Sequence, residues 1–351
     1  MDTADETLAL PALDLRALAR RAAVPAALAA ALAAALLLGG GPLEAFADAL
    51  ARAANADPRW VAGAAVFEVL SFGGYIALLW LVGGRATRRI GVRESAQVSL
   101  GGAAATRLLP TGGVGGVALT LWALRRTGLG ARGAARTLLA FLVLLYAVFL
   151  AAIAVAGGLL ALGLTAGEGP LVLSAGPAIG AALAIVLGLT AGGWARETGS
   201  GSRLRRSAGT LGAGVREAVG LLRSGDPRLL GALVWWTFDA AVLWAMLNAF
   251  GAPPAFAVAV LGYFMGQVAN TIPVPGAVSG GMVGVLLAFG VQADFAIASV
   301  LAYRSVAIWL PAPFGLVMLG GLRRTVARWN AEDGRMPAVA WRGTAAQPVC
   351  A

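Results

Sequence analysis

Two apolar stretches of this chain are cut at their middles by proline and clustered glycine, 165 positions apart. The first reads Arg107-Leu-Leu-Pro110-Thr-Gly112-Gly113-Val-Gly115-Gly116, the second Ile272-Pro273-Val-Pro275-Gly276-Ala-Val-Ser-Gly280-Gly281. Aligning Pro110 with Pro275 also aligns Gly115 and Gly116 with Gly280 and Gly281. Proline removes a backbone donor and glycine weakens a helix, so each stretch reads as a pair of short helices around a break. Broken backbone at membrane depth persists only where protein or a watery cavity covers it. Matching breaks in two halves of a chain point to a solute or lipid site near the bilayer midplane.

The rest of the sequence supplies the membrane context. Hydrophobic residues make up 59% of the 351, mean hydropathy is +0.80, and charged residues are 13%. That charge content is about half of what a soluble domain carries. Uninterrupted spans are expected at about 22–40, 60–82, 137–163, 170–192, 229–250 and 295–321, with the interrupted segments at 95–124 and 255–290. At a rise of about 1.5 Å per residue each span crosses a ~30 Å hydrocarbon layer, whereas halves such as 95–109 reach only about 20–22 Å. The last span contains Pro311 and Pro313 and is expected to kink or end early. The fold class is therefore all-α polytopic membrane protein, about six transmembrane helices plus two re-entrant helical hairpins. The apolar run at 22–40 is long for a signal-peptide core and reads as a retained helix.

All 27 basic residues are arginine, and there is no histidine. With N- and C-termini placed in the cytoplasm, 23 of the arginines fall on the cytoplasmic side. Arg52 and Arg59 lie outside, and Arg107 and Arg304 lie within membrane segments. This asymmetry follows the positive-inside rule and explains the net charge of +10 without nucleic acid. The arginine-only, Ala/Gly/Leu-rich usage fits a high-GC bacterium, which places the chain in a bacterial inner membrane. Three domains follow: a cytoplasmic segment 1–21, a transmembrane domain 22–325 and a cytoplasmic tail 326–351. Within the transmembrane domain, units at about 60–163 and 229–321 are separated by an odd number of spans, so the second is inverted relative to the first. Between them, loop 194–228 carries Leu204, Ala208, Leu211, Val215, Val219 and Leu222 at helical spacing among arginines. It reads as an amphipathic helix on an anionic membrane surface.

Four ionisable residues fall in membrane segments: Glu68, Arg107, Asp239 and Arg304. Each costs about 2.5–3.5 kcal/mol at a helix centre, so pairing or a polar cavity is required. Either they neutralise one another as structural pairs, or Arg107 and Arg304 grip an anionic group such as a lipid phosphate, a task the guanidinium fork suits. Glu68 and Asp239 would then position the arginines, bind a cationic moiety or relay protons. Asn270 precedes Pro273 as Arg107 precedes Pro110, and Tyr303 adjoins Arg304 as a hydrogen-bonding neighbour. No cofactor is implied, and no metal: the sole cysteine is Cys350 and histidine is absent. The same absences, with no nucleotide-binding loop, argue against an enzyme.

The segment Ile272 to Gly276, the glycine cluster, Gly290-Val291 and Leu301-Ala-Tyr303-Arg304 resemble the signature of a bacterial membrane family. It is the lysylphosphatidylglycerol synthase transmembrane-region family, also described as flippase-like, and the likeness spans roughly residues 20 to 325. The resemblance implies a lipid-translocating domain with Arg304 at the family's arginine. The chain departs from the family at Ala277, Val278 and Ser279, which interrupt the glycine cluster, and at Met282, which stands near a family glutamate. The expected partner is a membrane lipid with a phosphate headgroup. The alternative is a non-transporting scaffold that serves a cell-envelope enzyme partner.

Overall fold

A computed structural model describes residues 56–108, 114–194, 203–251, 253–271, 274 and 276–335. Among these, the chain is helical throughout: α1 (Pro58–Ala86), α2 (Val92–Leu108), α3 (Val114–Arg126), α4 (Ala131–Ala161), α5 (Leu171–Trp194) and α6 (Arg203–Arg223). After a short 3₁₀ turn follow α7 (Leu230–Ala249), α8 (Phe256–Ala269), α9 (Ala277–Ala288), α10 (Ala293–Trp309) and α11 (Pro311–Arg335). Five stretches are long and apolar enough to cross a membrane: Pro58–Ala86, Ala131–Ala161, Leu171–Thr190, Pro227–Ala249 and Ala293–Asp333. The expected span at 22–40 and the terminal segments 1–21 and 336–351 lie outside the described residues.

The spine of the bundle is the antiparallel pair α1 and α7. Asp57 N–H donates to the Ala249 carbonyl at 3.0 Å, and Ser71 Oγ–H donates to the Trp235 carbonyl at 3.0 Å. Between these, the Phe67 and Phe238 rings lie 5.7 Å apart. The crossing is made by Gly74 and Gly231: a Cβ at Gly74 would lie 2.6 Å from the Gly231 carbonyl oxygen, and one at Gly231 would strike the Gly74 carbonyl. Lipid tails are as apolar as leucine, so membrane helices associate through close packing of this kind rather than through burial from water. An alanine at either glycine would have to push the two backbones apart.

Each proline–glycine break lies between two short helices that fold back on one another. In the first pair, Gly116 N–H donates to Thr106 Oγ1 at 2.7 Å, and a Cβ at Gly102 would lie 3.3 Å from Gly116 Cα. In the second, Gly281 approaches Gly266 Cα to 3.1 Å by the same measure, and Gly262 faces Leu286 at 3.5 Å. Contacts that pair residues on either side of the break define antiparallel hairpins. With 17 and 13 residues in the first and 14 and 12 in the second, none of these four helices reaches the ~20 residues of a full span. Gly276 opens α9 at φ +84°, a left-handed conformation that glycine adopts without strain. The hairpins exchange supports: α2 packs along α11, the last helix of the second half, and α8 packs against α4, the last helix of the first.

The stretch 295–321 is interrupted as its prolines led us to expect: α10 ends at Trp309, and Pro311 and Pro313 stand in the first turn of α11, which runs to Arg335. Proline is tolerated there because first-turn N–H groups have no intrahelical acceptor. Helix α6 forms over the loop read as amphipathic, and Val215 of the expected stripe is buried together with Ala213, Ala218 and Leu221, while Leu211 and Leu222 of the stripe are exposed. A Cβ at Gly214 would lie 2.6 Å from Leu139 Cβ on α4.

Candidate functional site

The antiparallel register of α1 and α7 brings Glu68 and Asp239 to nearly one level, since Phe67 faces Phe238. Both carboxylates are buried, Glu68 at 1% and Asp239 at 2% exposure. Asp239 sits at the middle of α7 and accepts a hydrogen bond from the Tyr263 hydroxyl of α8 through Oδ2. Its other oxygen, Oδ1, is buried with no hydrogen-bond partner among the described residues.

Tyr263 and Gln267 are one turn apart on α8 and share a face. Gln267 Nε2–H donates to the Tyr303 hydroxyl of α10 at 3.2 Å, and the Tyr263 and Tyr303 rings meet edge to face at 6.0 Å. Both tyrosines are fully buried, at 0% and 1%. The result is a polar cluster of Asp239, Tyr263, Gln267 and Tyr303, drawn from three helices and walled by aromatics. Trp236 and Phe264 lie 5.7 Å apart, and Phe149 of α4 touches both, at 4.9 and 5.1 Å. Trp236 Nε1–H is satisfied by the Leu145 carbonyl at 2.8 Å, which ties α7 to α4 behind the cluster.

The structure places the remaining sequence-derived residues as follows. Arg304, next to Tyr303 on α10, is half-buried, and both it and Glu68 have interaction partners of their own. Asn270 ends α8 as its C-cap, with its N–H on the Gln267 carbonyl at 3.1 Å, three residues beyond the cluster. Arg107 lies in the last turn of α2, on the first hairpin. Gly115 and Gly116 fall in the first turns of α3, and Gly280 and Gly281 in those of α9. Pro110, Gly112, Gly113, Pro273 and Pro275 lie outside the described residues. Sequence reasoning missed Tyr263 and Gln267. Their signal was available: two polar side chains four apart on a short, otherwise apolar helix.

Charge is concentrated far from this cluster, at the end of the bundle formed by the C-terminus of α1 and the N-termini of α2, α4 and α7. There Arg136 pairs with Glu217 at 2.8 Å, Arg228 with Asp226 at 2.7 Å and Arg328 with Glu94 at 3.8 Å, while Arg89 pairs with Asp333. Asp226 caps the turn before α7, and hydrogen bonds from the Arg228 side chain, then its backbone, hold the carboxyl down to about 2. The Arg228 guanidinium also stacks 4.5 Å from the Trp80 ring centroid, anchoring α1 beside α7. No group of three or more His, Cys, Asp or Glu suited to a metal occurs among the described residues.

Comparison with known proteins gives one family match: the family described as "Lysylphosphatidylglycerol synthase TM region" covers residues 22–315. No curated protein matches the chain.

Proposed function

This multi-pass membrane protein belongs to the lysylphosphatidylglycerol synthase transmembrane-region family, and from that premise we propose that it binds an anionic lipid or lipid-linked intermediate and moves it between leaflets. The observation that carries this reading is the pair of sub-span hairpins, each packed on a helix from the far part of the chain, with a buried polar cluster where the second meets the middle of α7. Read as inverted repeats, the hairpins are re-entrant and enter from opposite faces. Rocking one half against the other about the α1–α7 spine would then expose the same chamber to each leaflet in turn.

In this scheme Arg304 and Arg107 receive the lipid phosphate. A guanidinium stays charged in a dry setting and meets phosphate oxygens with two parallel hydrogen bonds. The first turns of α3 and α9 add the positive ends of their helix dipoles. Asp239, Tyr263, Gln267 and Tyr303 hold the polar remainder of the headgroup. Movement of a lipid needs no bond to be made or broken, so the reading is that of a transporter and not an enzyme. The paired-charge end of the bundle is the cytoplasmic end of a bacterial inner-membrane protein, with both termini on that side.

The test is lipid scrambling in proteoliposomes with a fluorescent anionic phospholipid. Wild type is expected to exceed empty liposomes by at least about tenfold, and Arg304→Ala to return the rate to background while remaining folded. Wild-type vesicles no faster than empty ones would remove the transport reading. They would leave a scaffold for a cell-envelope enzyme as the better account.

A further inference from the structure

Asp239 poses a charge problem that the proposed lipid phosphate does not answer. It is 2% exposed in the middle of α7, and its one hydrogen bond among the described residues comes from the neutral Tyr263 hydroxyl. Oδ1 is buried and accepts no hydrogen bond among the described residues. Two other charged groups, Glu68 and Arg304, lie on helices packed against α7, but among the described residues no salt bridge joins either of them to Asp239. A carboxylate in such surroundings is costly until a positive charge reaches it.

The surroundings are rich in oxygen and neutral. The Tyr263 hydroxyl on α8 holds Oδ2, the Tyr303 ring on α10 meets the Tyr263 ring at 6.0 Å, and the Gln267 amide spends its nitrogen on the Tyr303 hydroxyl, which leaves its oxygen as a further acceptor in the cluster. Hard cations take oxygen ligands of this kind. A calcium-type cage gathers several carboxylates, and the described residues hold no group of three His, Cys, Asp or Glu suited to a metal. One formal negative charge with neutral oxygens matches a single positive charge.

We infer that Asp239, Tyr263, Tyr303 and Gln267 form a binding site for an alkali cation of the sodium class. Asp239 supplies the charge, and Tyr263 orients the carboxylate as well as offering its own oxygen. The role of the ion rests on the transport reading: occupancy would set which face the chamber opens to. Binding itself does not depend on that reading.

The experiment uses the full chain in nanodiscs of neutral lipid, with NaCl titrated against choline chloride at constant ionic strength. The readouts are thermal unfolding and tryptophan fluorescence, for which Trp236 is well placed with its ring 6.4 Å from that of Tyr263. Sodium is expected to raise the unfolding midpoint saturably and to change the fluorescence. Asp239→Asn abolishes both responses, and Tyr263→Phe weakens apparent affinity by about 10- to 100-fold, as loss of an orienting partner does at ion sites. Should Asp239→Asn fail to fold, Gln267→Ala serves as the second ligand variant, with weakened affinity expected. Identical behaviour in sodium and choline overturns the site, as does a sodium response that survives Asp239→Asn. An infrared carboxylic-acid band that Asp239→Asn removes and sodium leaves unchanged also overturns it, by showing that a proton supplies the counter-charge. Sodium binding without lipid scrambling leaves the site standing and removes the transport reading, whereas scrambling without sodium binding does the reverse.

Discussion

The first hairpin meets α11 through an amide and hydroxyls, whereas the second meets α4 through aromatic rings. Thr325 Oγ1–H donates to Gln97 Oε1 at 3.0 Å across the α2–α11 seam, and α2 also carries the buried hydroxyls of Ser95 and Ser99. On the other side, Phe264 of α8 packs edge to face on Phe149 of α4 at 5.1 Å. The two hairpins share a backbone plan and divide the work differently. In the first, the Gln97 amide is spent on holding α2 against its brace, near the paired-charge end. In the second the brace is apolar, which leaves Tyr263 and Gln267 free to face Asp239 and Tyr303.

The largest test of this difference is steric. A Cβ at Gly266 would strike the Met282 side chain and lie 3.0 Å from the Val278 carbonyl oxygen, whereas at Gly102 the nearest atom is Gly116 Cα at 3.3 Å. Gly266→Val is expected to cost about 3 kcal/mol and Gly102→Val less, measured by denaturant titration in detergent. Equal losses would mean that the two hairpins are packed to the same tolerance.

A smaller effect separates structure from transport. Gln97→Leu strands the Thr325 hydroxyl and is expected to cost about 1–2 kcal/mol, with scrambling retained. Tyr263→Phe should cost no more in stability but slow scrambling severely. Should Gln97→Leu stop scrambling while the protein stays folded, the seam belongs to the working site and the division of labour fails. The smallest expected effect is a gain. Gly284 is exposed on α9 with nothing within 4 Å of a Cβ, so Gly284→Ala should stabilise by about 0.5–1 kcal/mol in the same titration through helix propensity alone. A loss instead would reveal a neighbour on that face in the membrane.

Much of this was legible in the chain because membrane insertion imposes strong local rules. The breaks at Pro110 and Pro275 marked the hairpins, and Glu68 and Asp239 stood out as acids in otherwise apolar spans, which the fold buries at one level. What escaped was relational. Tyr263 and Gln267 gain meaning only once α8 lies against α7 and α10, a contact no local pattern encodes. Pro311 and Pro313 marked a kink or an early end without saying which, because a proline pair in an apolar run signals a break equally well inside a helix or at the start of a new one. Which face of α6 turns inward depends on where Leu139 of α4 falls, which helical spacing does not encode.

The seam between α2 and α11 joins segments about 200 residues apart in the chain. At ribosomal speeds of about 5–20 residues per second, some 10–40 s pass between completion of one side and the first appearance of the other. Until then the Gln97 amide oxygen lacks the Thr325 hydroxyl that donates to it in the finished bundle, so this polar seam closes only when almost the whole chain has been made.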